Sequence, residues 1–194
     1  MLKAVLLPVF SHGSWWSICP YTGSLFKDDE IDEAAIDPVP DKVDRALYYC
    51  NNPFSLIPAN ATKINPEKYF QNRTNQLKAL EKMHTRLLNI GNHNFFLSRI
   101  YANISKKIFE STEVAMIAIS SLPLQIEGDG KLCLQKSLLA LKTSKTFQDE
   151  GVLFIGAFIP TGQMHAWIIE GDMQPDEKDR FWINFRPLLA FYSP

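Results

Sequence analysis

The chain has 194 residues, 46% of them hydrophobic and 21% charged, with a formal net charge of -1. That length and composition can bury a sizeable core in one domain, or in one domain with a small appendage. So near-neutral a chain offers no basic field to hold a phosphate backbone, and nucleic acid is not an expected partner.

Residues 1–75 are broken by Pro8, Pro20, Pro38, Pro40, Pro53, Pro58 and Pro66 and carry an acidic patch from Asp28 to Glu33, read as a solvated loop. They are expected to form an N-terminal region of short strands and helices, distinct from residues 76–194. Within it, the apolar runs Lys3 to Phe10 and Arg45 to Cys50 are predicted as strands, because turn-forming residues bound them closely. The first residues do not suit a secretory signal, since Pro8, His12, Trp15 and Trp16 interrupt the apolar stretch.

From Asn75 the texture changes. Leu77, Leu80, Met83, Leu87 and Leu88 recur at three- and four-residue steps, followed by Phe95 to Phe109 and Val114 to Ile119, which together predict a helical layer. Gly91 and Asn92 suit a break after the first helix. After the turn Gly128-Asp129-Gly130, residues Lys131 to Lys145 predict a helix that begins just before Cys133.

The apolar run Val152 to Ile159 is short and rich in β-branched and aromatic residues, so it predicts a buried strand. A turn at Pro160 to Gln163 and alternation from Met164 to Ile169 add a second strand, forming a hairpin. Met173 to Asp176 can begin a third strand beside the second, and Phe181 to Tyr192 is a last apolar segment. The whole predicts an α+β fold. Neither longer apolar run, Val5 to Phe10 or Val152 to Pro160, approaches the roughly 20 residues that cross a bilayer.

The cysteines are Cys19, Cys50 and Cys133, with no CxxC pair; this argues against a disulfide framework or a closed zinc site and suits a reducing cytoplasm. A cysteine attacks a carbonyl as thiolate, and a helix N-terminus lowers its pKa. Cys133 has that place. His165, on the second strand of the hairpin behind the helix, can serve as general base and then general acid. Taken singly, a lone cysteine is most often a small buried hydrophobe, and a strand-end histidine a satisfied one. Trp167 shares a strand face with His165 and reads as core.

A third group must orient the imidazole. If Glu170 and Gly171 form a two-residue turn, Ile169 faces Asp172 and His165 faces Asp176. A turn one residue longer brings Glu177 opposite instead. If the strand starts only after the charged loop, Asn184 becomes the candidate, since an amide can also orient a histidine.

The run Lys131-Leu132-Cys133-Leu134-Gln135-Lys136-Ser137-Leu138-Leu139-Ala140-Leu141, the strand Leu153-Phe154-Ile155-Gly156-Ala157 and the block His165-Ala166-Trp167-Ile168-Ile169-Glu170-Gly171 resemble the C-terminal core of lasso-peptide B proteins. The resemblance covers residues 120–194. It departs from the family pattern where an aspartate usually follows an apolar pair, since Gln174-Pro175-Asp176-Glu177 stands there. What it implies is a transglutaminase-like or papain-like core, with the cysteine-bearing helix packed on an antiparallel sheet and a Cys133, His165, Asp176 triad. The implied activity is a cytoplasmic cysteine protease that removes the leader from a ribosomally made precursor peptide. The implied partner is an asparagine-synthetase-like lasso cyclase, through which any ATP requirement enters, the peptidase needing no cofactor or metal of its own. In such proteins the amino-terminal part is often a leader-recognition module that holds the leader as an added strand, a role open to residues 1–75. Two alternatives remain: an acyl transferase or amidase with the same triad, and a non-catalytic carrier of the precursor.

Overall fold

Short apolar runs become strands and runs at three- and four-residue spacing become helices in a computed structural model that describes residues 2–32, 36–58, 65–91, 107–122, 132–175 and 181–194. The fold is α+β, and its larger sheet is mostly antiparallel.

That sheet has six strands: β1 (Lys3–Leu6), β5 (Ile57–Pro58), β6 (Gly151–Phe158), β7 (Gln163–Glu170), β8 (Met173–Gln174) and β9 (Arg186–Tyr192), in the order β1-β9-β6-β7-β8-β5. The expected hairpin is there, with Phe154 opposite Trp167 and Gly156 opposite His165. β6 is buried on both faces along nearly its whole length, the reason its sequence runs apolar without alternation. Both β1 and β5 come from the first 75 residues, so that region contributes an outer strand at each edge of the sheet. A second, three-stranded sheet is made of β2 (Val9–Ser11), β3 (Ser14–Ile18) and β4 (Leu25–Asp28). His12 and Gly13 form the two-residue turn between β2 and β3, both with positive φ, as a type I′ hairpin requires.

One expected strand is a helix. Arg45 to Cys50 lies inside α1 (Asp41–Asn51). Val43, Ala46, Leu47 and Cys50 fall at the one-face spacing i, i+3, i+4, i+7 and pack together, while Asp41 and Asp44 favour the helix start electrostatically. The pattern shows only when the window begins at Asp41, ahead of the apolar run.

The helices α2 (Pro66–Phe70), α3 (Thr74–Gly91), α4 (Thr112–Ser120), α5 (Leu132–Thr143) and α6 (Phe147–Glu150) follow. The side chains of Asn65 and Ser111 cap α2 and α4 by accepting from Lys68 N and Val114 N. The expected helix Phe95 to Phe109 falls mostly outside the described residues, as does the Gly128-Asp129-Gly130 turn; Phe109 itself forms an isolated bridge with Ser144.

Two apolar clusters sandwich the sheet. One joins Leu80, Ala115, Ile119, Leu138 and Leu139 of the helices to Leu153, Ile155, Ala166, Ile168 and Leu189 of the strands. The other joins Val43 and Ala46 of α1 to Val5, Phe154, Trp167, Ile169, Trp182 and Ala190. Alternation along β6 and β7 sends odd and even positions to opposite clusters, whereas on β9 the register shift puts Leu188 and Leu189 in the same one. No helix among the described residues is long and apolar enough to cross a membrane.

Candidate functional site

Cys133 is the second residue of α5, and its side chain is half-buried against the cluster that also holds Ala166 and Ile168 of β7, with Met164 packed at its margin. It thus sits in the first turn, where peptide dipoles favour negative charge on sulfur. The other thiols differ. Burial pushes the Cys50 thiol up to about 12, with the nearby Trp167 indole N–H only partly opposing it. Cys19 lies at a turn where the Thr22 hydroxyl, followed by the backbone of Thr22 and Tyr21, holds its pKa below the ordinary thiol value.

His165 is half-buried near the start of β7. Its imidazole stacks on Trp167, with ring centroids 6.2 Å apart and planes 14° apart, and meets Phe185 at 5.1 Å. Behind it Trp167 stacks on Trp182 (5.8 Å, 15°) and on Phe154 (5.7 Å, 27°), so rings run in a column from the imidazole into the core. Trp167 is core, as its position implied, with 0% exposure. Gly156 lies opposite His165, and a Cβ there would come 2.7 Å from Cη2 of Trp167. The β6–β9 register shifts between Ile155 and Gly156, which pair with Leu189 and Pro187, so the extra residue is Leu188 of β9.

Cys133 and His165 belong to the same end of a helix and strand that lie side by side. At the other end Thr146, just past α5, donates to the Glu170 carboxylate that closes β7. From the end of α5 at Thr143 back to Cys133 is about 15 Å along the helix at 1.5 Å per residue. From Glu170 back to His165 is about 17 Å along the strand at 3.3 Å per residue. The two residues nevertheless approach that end from opposite faces of the sheet, since the sulfur packs with the α3, α4 and α5 cluster and the imidazole with the aromatic rings below α1. Between them runs β7. Its outer edge is paired to β8 only at Glu170 opposite Met173, so among the described residues no strand covers that edge near His165.

The turn after β7 corrects the register used to choose a third residue. Gly171 and Asp172, not Glu170 and Gly171, form the two-residue turn, because the positive φ (61°) falls on glycine at the first central position, as a type II′ turn requires. Glu170 therefore faces Met173, and the pairing of Ile169 with Asp172 that placed Asp176 opposite His165 does not occur. Asp176 and Glu177 themselves lie outside the described residues. Asn184 is exposed at the end of the 3-10 turn Phe181–Asn184, directly before the Phe185 that touches the imidazole.

Sequence reading passed over Trp182 and Phe185 and quoted Gly156 without a role at the site. Trp182 and Phe185 are three residues apart on one apolar segment, a spacing that was the available signal. A cleft of about 600 Å³ lies at the opposite end of β7, lined by residues that include Lys42, Arg45, Tyr49, Asp149 and Asp172, and includes none of the predicted site residues. Lys42 donates there to the carbonyls of Gln148 and Ser193, and burial lowers its pKa against the pull of Asp149 and Glu150. Among the described residues no group of three or more His, Cys, Asp and Glu gathers to hold a metal. Comparison of the chain with models of known families, with characterised proteins and with solved structures finds no match in any of the three.

Proposed function

We propose that the chain is a cysteine peptidase with a transglutaminase-like or papain-like core, which removes the leader from a lasso-peptide precursor in the cytoplasm. The observation that carries the reading is the shared end of α5 and β7, with Cys133 in the first turn of the helix and His165 near the start of the strand. The uncovered outer edge of β7 is the route by which thiol and imidazole meet around the strand.

In this reading the Cys133 thiolate attacks the carbonyl carbon of the bond between leader and core, and His165 gives its proton to the departing amine. Water then attacks the thioester with His165 as base, releasing the leader as a carboxylate and restoring the thiol. Asp176, Glu177 or Asn184 holds the imidazole. The three-stranded sheet, whose outer strands β2 and β4 pair with no further strand among the described residues, is where the leader is held as an added strand. An asparagine-synthetase-like cyclase with ATP then closes the ring.

A second reading, a carrier that delivers the precursor without cutting it, draws on the opposite-face placement of Cys133 and His165. Mass spectrometry of the precursor after incubation with the protein, the cyclase and ATP separates the two. Release of an intact leader by the wild type and not by Cys133→Ala is expected. Retention of bound, uncut precursor by both would replace the peptidase with the carrier. Loss of cleavage in Asp176→Asn with activity kept in Asn184→Ala assigns the third residue to Asp176, and the reverse assigns it to Asn184.

A further inference from the structure

Histidine χ2 is a soft torsion with broad wells, so an unsupported imidazole swings. A base that must meet a thiol in the plane of its ring gains from anything that stops the swing, because hydrogen bonds weaken steeply off axis and a misplacement of about 1 Å can cost on the order of 100-fold in rate. Resting on the assignment of His165 as the base, we propose that Trp167 is its positioning residue, a fixed plate that sets the plane of the imidazole, with Phe185 closing the other contact.

The plate is itself immobilised. Trp167 has 0% exposure, stacks on Phe154 and Trp182, and lies so close over Gly156 that a side chain there would displace it. Gly156 is also the residue paired with His165, so the same point of β6 that admits the indole fixes the backbone of the histidine. The 14° between imidazole and indole planes is offset stacking, the geometry aromatic pairs prefer. Nothing in this arrangement touches the scissile bond; it acts through His165.

The test compares Trp167→Phe, which keeps a ring, with Trp167→Leu, which removes it, and with Phe185→Leu. The kcat and KM for precursor cleavage are measured beside the His165 imidazole resonances of the uncomplexed protein. The leucine variants are expected to lower kcat by about 10- to 100-fold with KM changed less than about 3-fold, and Trp167→Phe to restore most of it. The His165 Cε1–H resonance is expected to lose its ring-current shift in Trp167→Leu and keep much of it in Trp167→Phe. A folded Trp167→Leu protein with an unmoved His165 resonance and unchanged kcat overturns the proposal. Should Trp167→Leu not fold, Phe185→Leu is measured in the same two ways: a shifted resonance with a lowered kcat supports the proposal, and no change in either overturns it. If the wild type does not cleave, the peptidase reading has failed, and the resonances alone still decide whether Trp167 holds the imidazole.

Discussion

At the scale of single residues, the thiols are sorted by surroundings. Cys50, on the inner face of α1 and packed against the core with its pKa pushed up to about 12 by burial, is a neutral thiol near neutral pH. Cys19 has donors around it and solvent beside it. Iodoacetamide followed by peptide mapping is therefore expected to modify Cys19 readily and leave Cys50 untouched, and inactivation by Cys133 must be read in a Cys19→Ser background. His84 supplies a pH dependence of stability. It is 6% exposed on α3, its Nε2 has no hydrogen-bond partner among the described residues, and burial holds its pKa below 6.5. The unfolded chain then binds the proton more tightly than the folded one. Stability should be constant above pH 6.5, fall as the pH drops through it, and level off below the depressed folded value. Chemical denaturation at a series of pH values should show this acid-side loss in the wild type and less of it in His84→Leu.

At the scale of elements, the joint between α5 and β7 is tied by hydroxyls. Thr112 donates to Ser144, Ser144 bonds Thr146, and Thr146 donates to Glu170, a buried carboxylate at the end of β7. Removing Glu170 leaves the half-buried Thr146 hydroxyl without its acceptor at the end of this chain, so Glu170→Ala is expected to cost about 1–3 kcal/mol in urea unfolding, with Glu170→Gln costing less. If Glu170→Ala unfolds at the wild-type midpoint, the chain of hydroxyls is not a tie. The legibility of the sequence divides along these elements. Three- and four-residue spacing sufficed for α3, and apolar runs of telling length bounded by turn residues sufficed for α5, β6 and β7. They failed at α1, where the apolar stripe is interrupted by Asp44 and Arg45 and proline precedes it, and at the turn after β7, where one residue of offset moves every partner by two. The opposite-face packing of Cys133 and His165 could not be read from the chain, since it depends on which side of the sheet α5 and α1 settle.

At the scale of the whole molecule, the residues proposed for catalysis come from the later half of the chain, and the sheet that carries His165 is bounded by strands from the early part. The edge position of β1 beside β9 has a consequence for the order of assembly. Among the described residues Lys3 to Leu6 pair only with Leu189 to Tyr192, so ribosomal synthesis exposes β1 long before its partner is made. Loop closure over nearly the full chain must precede that pairing, which makes it a slow, late event. Pulsed hydrogen exchange during refolding should find the amides of the β6–β7 hairpin protected first and those of β1 last. Until then the early strand is a sticky, unpaired segment that a growing chain must keep from the wrong partner.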